Sequence, residues 1–168
     1  RLFALVVDPA VNSILGMIGG TITAAADQSP VIMGFLLGGI MKMICTSPLS
    51  SMALTAMLGL TGLPMGIAAI ACFGGSFTNG MVFHKMGYGD KSNVIAVMLE
   101  PLTQAHIVTA HPIPIFVSNF FGGGLAGLAA AMLGIVNNAP VTASPIPGLI
   151  APFGFNPAGK VILALALA

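Results

Sequence analysis

The sequence predicts an all-α, polytopic transmembrane helical protein with broken or re-entrant helices, and three observations carry that expectation. Charged residues make up 5% of the chain and hydrophobic residues 57%, where a soluble domain carries about a quarter charged. So few charges cannot cover the surface of a soluble fold. Apolar runs of about 15 to 23 residues follow one another, the length that crosses a roughly 30 Å hydrocarbon core as helix. Finally, 12 prolines and 22 glycines interrupt those runs where hydroxyls and amides collect, and irregular backbone at membrane depth survives only when buried in protein or lining a wet cavity. A transmembrane barrel would alternate apolar and polar residues over segments of about 10; this chain does not.

Taken in order, Leu2 to Ile22 is the first candidate span, interrupted by Asp8, Pro9 and Asn12. Ala24 to Pro30 is a polar turn with Asp27, Gln28 and Ser29 ahead of a helix-starting proline. Val31 to Cys45 is the second span. It runs into Thr46-Ser47-Pro48-Leu49-Ser50-Ser51, where proline removes a backbone donor and clashes with the preceding turn, so a break is expected. Ala53 to Leu60 is half a span before Gly62 and Pro64 are expected to break the chain again. Met65 to Phe83 is a third full span. His84 to Asn93 follows as the one well-charged loop, with Lys85, Asp90 and Lys91.

Val94 to Leu99 meets Glu100-Pro101 and then Thr103, Gln104, His106, Thr109, His111, Pro112 and Pro114, a stretch too polar for a lipid-facing helix. Ile115 to Val136 is a clean span. Asn137 to Pro157 is apolar enough to enter the membrane but too rich in proline to be one helix. Val161 to Ala168 is apolar and too short to cross. Five or six spans with one or two re-entrant helices are expected, the 168 residues forming a single membrane domain. Glycine pairs at spacing four, Gly16 with Gly20, Gly34 with Gly38 and Gly123 with Gly127, let helix backbones approach closely in lipid. Packing within one subunit is the preferred reading of these pairs, a homodimer contact the lesser one.

Chemistry concentrates at the breaks. Ser47, Ser50 and Ser51 are expected to face a polar cavity, because backbone groups freed by Pro48 need partners at that depth. Glu100 is the only glutamate, and a carboxylate inside an apolar stretch is a candidate functional group by default. Thr103 and Gln104 would share its face if the segment stays helical. There burial would favour the protonated carboxyl and make binding responsive to pH. A membrane-edge carboxylate facing water is the bland alternative. His106 is a candidate for bonding a solute or relaying a proton, set against a satisfied structural histidine.

His84 is expected to mark the membrane interface. Lys42 is expected to snorkel to the headgroups, with pairing to Glu100 as the alternative. Metal binding is not expected, since three or four converging ligands with paired spacing are missing. Cys45 and Cys72 read as small packing residues. No cofactor and no catalytic motif is read, and the scattered basic residues give no reason to expect nucleic acid as a partner.

Residues Ser47 to Gly80, SPLSSMALTAMLGLTGLPMGIAAIACFGGSFTNG, resemble the EIIC-type family of phosphotransferase-system membrane proteins that includes the perfringolysin regulator PfoR. The matching residues are Pro48-Leu49-Ser50-Ser51, Leu58-Gly59-Leu60-Thr61-Gly62 and Ala71-Cys72, and the likeness extends more loosely from about Pro30 to Pro147. The resemblance implies the C-terminal half of a longer protein of the bacterial inner membrane. It further implies a permease domain that binds and translocates a small polar, sugar-like solute, or a PfoR-type sensor that keeps the pocket and moves nothing. The chain departs from the family pattern at Met98 to Gln104, where Glu100 intrudes, and at Ser144-Pro145-Ile146-Pro147-Gly148. Phosphotransfer is implied only with separate soluble EIIA and EIIB components, for which these residues hold no counterpart.

The positive-inside rule puts the His84 to Asn93 loop in the cytoplasm. A cysteine at Ser92 is therefore expected to stay unlabelled by an impermeant thiol reagent in intact cells and to label once the membrane is permeabilised.

Overall fold

The computed structural model describes residues 29–48 and 50–168, together with Ser13 and Met17. The first candidate span, with Asp8, Gly16 and Gly20, otherwise lies outside the described residues. These form helices and no strand. Helix α1 (Pro30–Thr46) starts where the Ser29 hydroxyl accepts from Val31 N at 3.3 Å and Pro30 occupies the first turn. It ends at Ser47, extended at φ −75°, ψ 165°, as expected of a residue ahead of proline.

Helix α2 (Ser51–Met57) begins on a Ser50 cap that accepts from Ala53 N at 3.2 Å. Helix α3 (Gly62–Met86) takes Pro64 into its first turn. The expected second break is thus a helix start, because proline is tolerated where the backbone N–H has no intrahelical partner. Gly87 ends α3 at φ 68°, a left-handed conformation open to glycine without steric cost. Helix α4 (Lys91–Leu99) opens on a reciprocal Asp90–Asn93 capping box and stops at Glu100-Pro101. A 3-10 turn (Pro101–Gln104) and α5 (Ala105–Ala110) lead into α6 (Pro112–Met132). Helix α7 (Pro145–Ile150), a second 3-10 turn (Ala151–Gly154) and α8 (Ala158–Leu167) follow.

Helices α3 and α6 are long and apolar enough to cross a membrane, and α1 and α8 are shorter apolar helices. Phe77, Met81, Leu125, Met132 and Ile162 stay exposed along them, a coat that suits lipid rather than water.

The tightest packing joins α1 to α6. A Cβ on Gly38 would meet Gly127 Cα at 2.8 Å, and one on Gly34 would meet Ala131 Cβ at 2.6 Å and Gly127 O at 2.9 Å. The two glycine pairs therefore interlock within one chain, as their spacing led us to expect. Contacts run oppositely along the pair, Gly34 beside Ala131 and Lys42 beside Gly123, so α1 and α6 are antiparallel. Between α1 and α3 they advance together: Lys42 bonds Cys72 O, and Thr46 meets Asn79. These two helices run the same way, so the chain must climb back between them through residues 47–61. Thr46, level with Asn79, lies about 10 Å short of the end of α3 at roughly 1.5 Å per residue. Helix α1 accordingly stops inside the bundle.

Gly38→Ala is expected to destabilise the protein by about 1–3 kcal/mol through overpacking. Gly159→Ala, whose Cβ would meet nothing within 4 Å, should be close to neutral. Thermal unfolding of both purified variants in detergent checks this.

Candidate functional site

Two broken segments enter the bundle from opposite ends. Residues 91–111 form a hairpin from the end of α3. Asn93 Nδ2 donates across it to Gln104 Oε1 at 2.7 Å, and its ends are drawn together by stacking of Tyr88 on His111, with centroids 4.1 Å apart. Its tip is Glu100-Pro101, where Met98 lies against Gly80 and the 3-10 turn touches α1. From the other end, residues 137–156 dip in and return. There Asn156 closes the loop, accepting from Val136 N at 3.0 Å and donating to Val136 O at 2.7 Å. Asn137 N donates to Gly62 O at 2.9 Å, pinning the entry to the start of α3.

The inner turn of this second segment carries Val141 at φ 63°, a strained value for a β-branched residue. It brings the Ala143 carbonyl to Ser51, whose hydroxyl donates to it at 2.6 Å. Both hairpins and the end of α1 thus converge on one region inside the bundle.

The sequence-derived candidates fall as follows. The Ser47 hydroxyl, half-buried, donates to Ile44 O at 2.8 Å. Ser50 is exposed and caps α2, while Ser51 is buried on the 137–156 segment. Glu100 is exposed at the hairpin tip, not interior as expected, because its extended backbone (φ −149°, ψ 96°) turns the chain at Pro101. That same turn removes the helical face expected to join Glu100, Thr103 and Gln104. Thr103 is exposed and donates to Glu100 O at 2.8 Å. Gln104 is buried and holds Asn93, and His106 is exposed on α5. His84 is exposed in the last turn of α3.

Lys42 overturns its expectation outright: it does not snorkel but is fully buried. Glycine makes this possible, since the lysine stem fills the space a side chain would take at Gly75 and at Gly123. Its ammonium donates to Cys72 O at 3.4 Å. Glu100 is within Coulombic range of it, but among the described residues no carboxylate pairs with it directly.

Sequence reasoning passed over the polar seam beside Lys42. Asn119 Nδ2 donates to Asn79 Oδ1 at 2.6 Å and to Ile115 O at 2.8 Å, and Asn79 Nδ2 donates to Thr46 Oγ1 at 3.1 Å. All three side chains are buried, and among the described residues Asn119 Oδ1 has no partner. Asparagine in mid-span, within Phe77-Thr78-Asn79-Gly80 and Ser118-Asn119-Phe120, was the signal available. An open groove of about 540 Å³ on the outer face is lined by Met43, Phe116, Phe120 and other apolar residues. It offers a polar solute nothing to bond.

A family model described as "Phosphotransferase system, EIIC" matches residues 1–168. No curated protein and no solved structure matches the chain.

Ser51→Ala leaves the buried Ala143 carbonyl without its donor and is expected to cost about 1–3 kcal/mol. Faster amide exchange confined to residues 137–156 would report the loosened turn, and unchanged exchange there would count against the tether.

Proposed function

The chain belongs to the phosphotransferase-system EIIC family, and from that membership we propose that it is a membrane permease domain that binds and translocates a small polar, sugar-like solute. EIIC domains are membrane-integral and work with soluble EIIA and EIIB components. We read the 168 residues as one membrane domain of a longer multi-pass protein in the bacterial inner membrane, with phosphoryl transfer left to those partners. One observation carries the reading. Residues 91–111 and 137–156 enter from opposite ends, the first touching α1 through its 3-10 turn and the second reaching Ser51 just beyond the end of α1. Broken segments of this kind bring backbone and polar side chains to mid-membrane, where transporters bind solutes.

In this reading residues 91–111 and 137–156 are re-entrant. Glu100, Thr103 and His106 face the aqueous approach at one tip, Ser47, Ser50 and Ser51 line the break opposite, and Gln104 braces the hairpin. Alternating access would move the tips against the rigid α1–α3–α6 core.

The test is uptake of a panel of labelled sugars and sugar derivatives by the full-length protein in proteoliposomes. Accumulation of a solute supports the permease. Saturable binding without accumulation returns the PfoR-type sensor instead. Because Glu100 is exposed, Glu100→Gln is expected to leave stability within about 0.5 kcal/mol while lowering uptake by about tenfold, the worth of one charged hydrogen bond.

A further inference from the structure

The chain has two cysteines, Cys45 and Cys72. Both are buried and free, and the fold brings them together. Cys72 shares one face of α3 with Ala68 and Gly75, and a Cβ on Gly75 would meet the Lys42 stem, so that face looks onto α1. There the Cys72 thiol donates to Met41 O at 3.9 Å. In the helix Met41 O also accepts the amide of Cys45, which puts the Cys72 sulfur beside the backbone of Cys45. The two thiols are within hydrogen-bonding reach of each other.

The Cys45 sulfur also reaches the Ser51 hydroxyl across the break. That hydroxyl gives its proton to Ala143 O, so in the pair with Ser51 the thiol is the donor. A chain of bonds thus runs from Cys45 through Ser51 to the 137–156 segment, and bonds in such a chain polarise and strengthen one another. Cys72 is fully buried, whereas Cys45 retains 6% exposure and lies next to the break that holds half-buried Ser47 and exposed Ser50. A small oxidant entering by the break therefore meets Cys45 first.

We infer that Cys45 and Cys72 are a redox pair, an oxidation site that closes to a disulfide when a hydroperoxide enters through the break after α1. The Cys45 sulfur attacks the peroxide, whose O–O bond breaks to leave a sulfenic acid and, for hydrogen peroxide, one water. Cys72 then displaces the hydroxyl as a second water and the S–S bond forms. Two thiols are oxidised by two electrons and one peroxide is reduced. A dithiol reductant reverses the step by thiol–disulfide exchange. Closure joins the last turn of α1 to α3 and removes the proton that Cys45 offered to Ser51, so the tether on residues 137–156 slackens. The inference goes beyond the permease reading and stands without it.

The experiment uses the full-length protein in detergent, reduced, treated with hydrogen peroxide, unfolded in an alkylating reagent and mapped by mass spectrometry. A Cys45 peptide linked to the Cys72 peptide is expected, and it should disappear with dithiothreitol. Cys72→Ala should form no link and stop at a sulfenic acid on Cys45 that dimedone traps; if this variant does not fold, the map of the unaltered protein decides. Recovery of both cysteines alkylated, or oxidation of Cys45 beyond sulfenic acid with Cys72 still free, would overturn the pair.

Amide exchange reads the consequence. In the disulfide form it is expected to slow in the last turn of α1 and to rise across residues 137–156 by up to about tenfold, the order of one hydrogen bond, both changes reversing with dithiothreitol. Slowing in α1 without acceleration at 137–156 would overturn the link through Ser51. So would the same acceleration in peroxide-treated Cys45→Ala/Cys72→Ala, which can form neither product.

Discussion

The contact between the backbones of α1 and α6 is the constraint from which the remaining geometry follows. In lipid, apolar side chains gain little by leaving the solvent for one another, so helices associate through close van der Waals fit. Gly34 and Gly38 on one helix and Gly123 and Gly127 on the other bring the two chains so near that a single methyl at Gly38 would collide with backbone. That closeness decides where the seam lies. It also sets the slot into which Lys42 extends, bounded by Gly123 on α6 and Gly75 on α3. A lysine that would ordinarily reach for the headgroups is enclosed because the glycine-bearing faces of α3 and α6 leave room for its stem.

A second requirement, that buried backbone groups find partners, explains the many amide side chains. Asparagine can donate and accept at once, and the fold uses that capacity at each break. Asn93 closes the capping box with Asp90 and holds Gln104 across the hairpin. Asn156 satisfies both the amide and the carbonyl of Val136, and Asn138 accepts from the first residue of α3, Gly62, at 3.0 Å. These bonds allow irregular chain to persist among apolar helices without leaving polar groups stranded. Among the described residues, Asn119 Oδ1 is a buried side-chain acceptor that finds no donor.

The breaks were legible because their causes are local. Proline at 48, 101 and 145, preceded by Ser47, Glu100 and Ser144, marks where helix hydrogen bonding must fail, and α1, α4 and α7 end or begin there. Pro64 was misread because the same residue that ends a helix interior is accommodated in a first turn, and which of these applies depends on where the helix starts. Glu100 was expected inside because it is acidic in an apolar run. The turn at Pro101 leaves its side chain exposed at the hairpin tip, and only the path of residues 91–111 specifies that turn. The expectations for Ser47, Ser50 and Ser51 were shaped by the same break. Their hydroxyls in fact bond backbone carbonyls or cap a helix within the fold.

By itself the sequence determined the solvent in which this protein folds, the apolar spans, the positions of the breaks and the glycine pairs that would pack. Each of these is written in composition or in periodicity over one or two helical turns. The tertiary structure decided which spans are neighbours and in which direction they run. On that pairing depends whether Lys42 faces lipid or protein, whether Asn79 and Asn119 meet, and which side of a hairpin presents Glu100. A side chain's partner across a helix interface comes from residues far away in the chain, and periodicity along one helix holds no information about the surface opposite.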